Sequence, residues 1–134
     1  MRYLFTLTCV LAFMLCACKK SGLTGNPTLK GTYKGTYQKL GPTYQMPQTA
    51  NVTLDFSSNK WSGSTDTNGY PGLCNGTFEV KSNVVTFHNA CNWVMITMPG
   101  DILDGEFTIT KEGSIVTLIQ TRGNTSNNYK LMRQ

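Results

Sequence analysis

The stretch Glu106-Phe107-Thr108-Ile109-Thr110-Lys111-Glu112-Gly113-Ser114-Ile115-Val116-Thr117-Leu118-Ile119-Gln120-Thr121 decides the fold class. Phe107 and Ile109 alternate with Glu106, Thr108 and Thr110, the period of two that a half-buried strand requires. Glu112-Gly113 then reads as a tight turn, and residues 114–121 resume as a second β-rich run. Two such runs across a short turn predict an antiparallel hairpin.

The same grammar extends in both directions. Residues 32–40 place Tyr33, Gly35 and Tyr37 on one face. Val52, Leu54 and Phe56 alternate with Thr53 and Asp55, and residues 57–60 form a hairpin connection into Trp61 and Gly63. Residues 66–72 are a loop rich in Asp, Asn, Gly and Pro. Phe78 and Val80 share a face, Ser82-Asn83 turns, and Val85 and Phe87 share the next face. Residues 91–98 form a further apolar run, which Pro99-Gly100-Asp101 breaks. Residues 124–127 are polar, and the last strand begins near Tyr129 and Leu131. No helical stripe of about 10 or more residues interrupts this pattern. Eight or nine short strands in sequential hairpins predict an all-β fold, a small antiparallel up-and-down β-barrel. Closure removes exposed edges, which a chain with 14% charged residues needs. Gly35 and Gly63 fall inside strands, where glycine marks a bend or a close backbone approach.

Composition agrees. The chain has 134 residues, 12 Lys+Arg, 7 Asp+Glu and 13 Gly. From Cys18 onward it carries 17 Thr and 11 Asn but only two Ala, Ala50 and Ala90. That excludes a helical bundle and leaves room for one domain.

The head is different. After Met1-Arg2-Tyr3, residues 4–17 are an apolar-rich run, too short and too poorly flanked to span a bilayer, and they read as an export signal. Its end, Leu15-Cys16-Ala17-Cys18, resembles the bacterial lipobox, which implies cleavage after Ala17 and lipidation of Cys18. The predicted organisation is a signal peptide over 1–17, a lipidated flexible tether over 18–30 and a barrel domain over 31–134. Two or three acyl chains hold a protein stably at a membrane. Lys19 and Lys20 beside Cys18 favour anionic headgroups and a periplasm-facing anchor in the outer or inner membrane. Of the five Cys, only Cys74 and Cys91 then remain, and in an oxidising envelope they predict one disulfide.

The features Gly31-Thr32-Tyr33-Lys34-Gly35-Thr36-Tyr37, Trp61-Ser62-Gly63-Ser64, Cys74-Asn75-Gly76-Thr77-Phe78, Asp104-Gly105-Glu106-Phe107 and Tyr129-Lys130-Leu131 resemble small lipocalin-like lipoproteins of Gram-negative bacteria. The resemblance implies a barrel and an envelope address, with no assigned activity. A lesser likeness is to the META domain of heat-shock lipoproteins. This chain departs from it at Leu73 and in the spacing before Gly76.

Catalysis has little to build on. Asp101, Asp104 and Glu106 fall near one barrel end, but His88 is the one histidine, and no nucleophile elbow, P-loop or dinucleotide turn occurs. The chain is read as a non-enzyme without cofactor. His88, Cys91, Met95 and Met98 have the soft donors that Cu(I) favours. Three-residue spacing in a strand puts them on opposite faces, however, and Cys91 already has Cys74 as a partner, so no metal site is assigned.

Tyr33, Tyr37, Trp61, Phe78, Phe87 and Tyr129 are the candidate ligand contacts, because aromatic walls with polar tips suit small apolar ligands. Tyr44, Met46 and Tyr70 lie in the longest loops, 41–48 and 66–72, and are candidates for contact with an envelope protein partner. The eleven Lys and Arg left after signal removal are dispersed, which excludes a nucleic-acid stripe.

Overall fold

The computed structural model describes residues 27–43, 48–93 and 97–134. It contains eight strands: β1 (Gly31–Leu40), β2 (Gln48–Ser57), β3 (Lys60–Thr65), β4 (Asn75–Lys81), β5 (Val84–Asn89), β6 (Gly105–Glu112), β7 (Ile115–Arg122) and β8 (Thr125–Arg133). Each pairs antiparallel with its sequence neighbour. β8 returns to β1 in the register Tyr33↔Arg133 to Leu40↔Ser126, closing an up-and-down barrel. The barrel read from the alternation is present, with eight strands.

The hairpin that decides the fold is β6–β7, paired from Glu112↔Ile115 to Thr108↔Ile119. Four hairpins have two-residue loops, and the first loop residue has positive φ in each: Ser58, Ser82, Gly113 and Gly123. Positive φ in such a loop matches the right-handed twist of the strands it joins. β2–β3, β4–β5 and β6–β7 turn tightly at one end, which also holds the start of β1. The three long connections, after β1, β3 and β5, all lie at the other, the loop end.

The inward phase of every strand supplies the core. Tyr33, Tyr37, Leu54, Phe56, Trp61, Phe78, Phe87, Phe107, Leu118, Tyr129 and Leu131 are all buried in one cluster. Two glycines let the wall bend tightly. A Cβ on Gly35 would run into the Lys130 carbonyl oxygen of β8, and one on Gly76 into the His88 carbonyl oxygen of β5. At Gly63 the limit is a side chain, since a Cβ there would lie 2.6 Å from Leu54 Cδ2.

Two sequence expectations need correction. The run 91–98 is no strand where it is described, at residues 91–93 and 97–98. Apolar content alone does not make a strand, and the Cys74–Cys91 bridge ties the start of this run to the end of the preceding loop. β8 begins at Thr125, four residues before Tyr129, because its polar start faces a polar part of the interior. Ahead of β1, Pro27 and Leu29 are buried, and Leu29 joins the core.

Candidate functional site

The barrel interior changes character along its axis. At the tight-turn end and the middle it is aromatic: Phe56 lies 5.1 Å from Phe78, Trp61 5.7 Å from Phe87, and Tyr37 4.8 Å from Tyr129, centroid to centroid. The six aromatics read as ligand contacts are thus brought together, and their rings pack against one another as the fill of the barrel.

At the loop end the inward phase turns polar. On β1 the series Tyr33, Tyr37 ends in Lys39. On β7 the series Val116, Leu118 ends in Gln120, and on β8 Leu131 and Tyr129 lead back to Asn127. Among the described residues, Lys39, Gln120, Asn127 and Asp101 are the buried polar side chains. They form two hydrogen-bonded sets that meet at the Gly100–Asp101 turn. Lys39 Nζ donates to Asp101 Oδ1, and Tyr37 Oη donates to Asn127 Oδ1 at 2.9 Å. Asn127 Nδ2 donates to the Gly100 carbonyl at 2.8 Å and to Gln120 Oε1 at 3.3 Å. Gln120 Nε2 in turn donates to the carbonyls of Asp104 and Glu106 at 3.0 and 3.2 Å.

The cover of this network is built from two loops. A single 3-10 turn, Pro99–Asp101, aims Asp101 into the barrel. Beyond it Ile102 forms a parallel bridge with Gly72 of the β3–β4 connection. Gly72 N donates to the Asp101 carbonyl at 2.9 Å, and Leu103 N to the Gly72 carbonyl at 3.0 Å. The fit at Gly72 is close, since a Cβ there would lie 3.0 Å from both the Ile102 and Thr97 side chains. Leu103 is fully buried beneath the bridge.

Electrostatics follow from the burial. Desolvation pushes the Tyr37 phenol far above its ordinary value, and Tyr129, Tyr70 and Asp101 beside it add to the shift. Tyr129 is raised the same way, by burial first and then by Asp101 and Tyr70. Both hydroxyls therefore stay protonated, and that of Tyr37 donates to Asn127. The site offers donors, acceptors and one internal ion pair beside aromatic walls.

Tyr70 is half-buried and stands edge-on to Tyr37 at 5.2 Å, so it caps the barrel end. Tyr44, Met46 and Cys18 lie outside the described residues. Cys74 and Cys91 form the expected disulfide, with a sequence separation of 17. That bond removes Cys91 from the soft-donor group; His88 faces outward, Met98 is 66% exposed and Met95 lies outside the described residues. Among the described residues no three His, Cys, Asp or Glu side chains gather as a metal would need.

Lys39, Gln120 and Asn127 were missed as site residues, and Asp101 was noted only as part of an acidic cluster. The signal was present in the alternation, which gives Lys39, Gln120 and Asn127 the phase of their buried neighbours. Asp101 carries no such signal, because it comes from a loop.

Two grooves mark the outer wall. One of about 670 Å³ crosses β1, β2, β3 and β8 beside Gly35, with Thr36, Thr53, Ser64, Lys130 and Met132 in its lining. The other, about 510 Å³, lies over β2–β4 near the tight-turn end. Among the described residues no helix is long and apolar enough to cross a membrane. No known protein family, characterised protein or solved structure matches the chain.

Proposed function

We propose that this chain is a lipocalin-like lipoprotein of the bacterial envelope, anchored through Cys18, whose barrel binds a small ligand at its loop end without chemistry. The observation that carries the reading is the buried polar network of Lys39, Asp101, Gln120 and Asn127 above the Tyr37–Tyr129 pair. Buried polar groups contribute little to stability when apolar packing could replace them, and a few convergent polar groups over aromatic walls are the usual make-up of a small-molecule site. The lipobox at residues 15–18 supports the anchor.

Two measurements test this. Palmitate labelling in a bacterial host should mark the chain and be lost in Cys18→Ser; labelling that survives the substitution sinks the anchor. Solvent extraction of protein purified from the envelope should release a small molecule. The same extraction from Asn127→Leu should yield several-fold less, and equal yields would sink the loop-end site.

A protein partner at the same end is the second reading. The exposure of Met98 at 66% and Leu40 at 39%, both at this end, favours it. Capture of one envelope protein by the wild type, lost in Met98→Asp, is the outcome this reading requires.

A further inference from the structure

The 3-10 turn Pro99–Asp101 meets the barrel mouth with acceptors, and the mouth meets the turn with donors. Lys39 Nζ on β1 donates to the Asp101 side-chain carboxylate. Asn127 Nδ2 on β8 donates to the Gly100 carbonyl at 2.8 Å. From the β3–β4 connection, Gly72 N donates to the Asp101 carbonyl at 2.9 Å. Gln120 Nε2 and Arg122 Nη2 on β7 continue the set, donating to the Asp104 carbonyl at 3.0 and 3.2 Å. The mouth is thus lined with donors, two of them cationic, and oxygens of the chain itself fill it.

Three of those oxygens belong to one acyl-aspartate unit. The Gly100 carbonyl is the acyl group on the Asp101 nitrogen, and Asp101 adds its side-chain carboxylate and its main-chain carbonyl. A free acyl-aspartate carries acceptors at the same three places. The turn also has room to leave. Asp101 is its one buried residue, Met98 and Pro99 beside it are exposed, and a Cβ on Gly100 would meet nothing within 4 Å. Lifting it breaks the bonds from Lys39, Asn127 and Gly72 but keeps that from Leu103 N to the Gly72 carbonyl. Lifting it alone takes the Asp101 charge away from Lys39, whose side chain is 9% exposed, at a cost that an incoming anion removes.

We propose that the Pro99–Asp101 turn is an internal substitute ligand, displaced by a small carboxylate that carries a neighbouring carbonyl oxygen. The ligand's carboxylate accepts from Lys39 Nζ and its carbonyl from Asn127 Nδ2. The inference rests on the loop-end reading above, and adds to it the ligand's chemistry and the contact that keeps the site closed. Affinity in the intact chain is lowered in proportion to the fraction of molecules in which the turn is lifted.

The test uses the full chain, with N-acetylaspartate as probe and N-acetylasparagine, which lacks the side-chain carboxylate, as control. By calorimetry, Asp101→Asn should bind N-acetylaspartate at least about tenfold more tightly than the wild type, because the internal competitor is gone. The control should bind that variant several-fold more weakly than the probe, and adding Lys39→Met should remove the gain. A second arm needs no variant to fold. In the wild type labelled with ¹⁵N, N-acetylaspartate should shift the Gly72 amide and the Asn127 side-chain amide together and saturably, since both exchange their acceptors on the turn for those of the probe. Equal affinities of wild type and Asp101→Asn, binding by neither, or unmoved Gly72 and Asn127 signals overturn the proposal. If equal affinities accompany a small molecule extracted from the wild type and lost in Asn127→Leu, the displaced turn fails and loop-end binding stands. A tenfold gain in Asp101→Asn with nothing extracted supports the displaced turn and sinks occupancy in the envelope.

Discussion

Lys39 of β1 and Asp101 of the β5–β6 connection form an ion pair inside the barrel mouth, with each side chain 9% exposed. One partner comes from the wall and the other from the cover, so the pair ties the Pro99–Asp101 turn to the strand that closes the barrel. Removing one partner strands the other charge in a place that water barely reaches. Lys39→Met or Asp101→Leu alone should therefore lower stability by about 3–5 kcal/mol in urea unfolding. The double variant should lose markedly less than the sum, because it leaves no buried charge. Additive losses would show that the two charges do not interact.

Glycine positions separate wall from loop. Gly35→Ala and Gly76→Ala both drive a methyl into a neighbouring strand's carbonyl, and neither chain should fold to the native barrel by circular dichroism. Gly100→Ala meets nothing within 4 Å at an ordinary φ. It should be neutral, or stabilise by about 0.4–1 kcal/mol through the unfolded state.

The raised phenols set an alkaline limit. Tyr37 and Tyr129 have folded-state pKa values above the ordinary tyrosine value near 10. A group that holds its proton more tightly when folded contributes stability that is complete below its unfolded pKa. Stability should thus be flat in this respect up to about pH 10 and fall as pH rises further. Tyrosinate absorbance from these two residues should appear together with unfolding; ionisation in the folded barrel would contradict their burial.

Reduction of Cys74–Cys91 opens a loop with a sequence separation of 17. In the chain-entropy treatment such a bridge contributes roughly 3 kcal/mol. Unfolding with and without reductant should differ by about that amount, and Cys74→Ala/Cys91→Ala should match the reduced protein. No difference would mean that the cover is held by other contacts alone.

The barrel was legible because its strands obey one period nearly without exception. Phe107/Ile109, Val85/Phe87 and Tyr33/Tyr37 each announce an inward face, and their faces are the core observed. The pattern misled at residues 91–98, where apolar character without alternation suggested a strand. The site was less legible for two physical reasons. Lys39 and Asn127 are polar, so phase alone marks them as inward. Asp101 reaches Lys39 across 62 residues from a single 3-10 turn, a pairing that no local period encodes.

The most direct measurement is a native mass spectrum of the chain from Ser21 to Gln134, recovered from an oxidising periplasm, beside that of its Lys39→Met/Asp101→Leu variant. The expected result is a reproducible small-molecule adduct on the first, much reduced on the second, with both proteins two protons lighter than the reduced chain. A bare, oxidised mass for the wild type, or an equal adduct on both, would contradict ligand binding at the loop end.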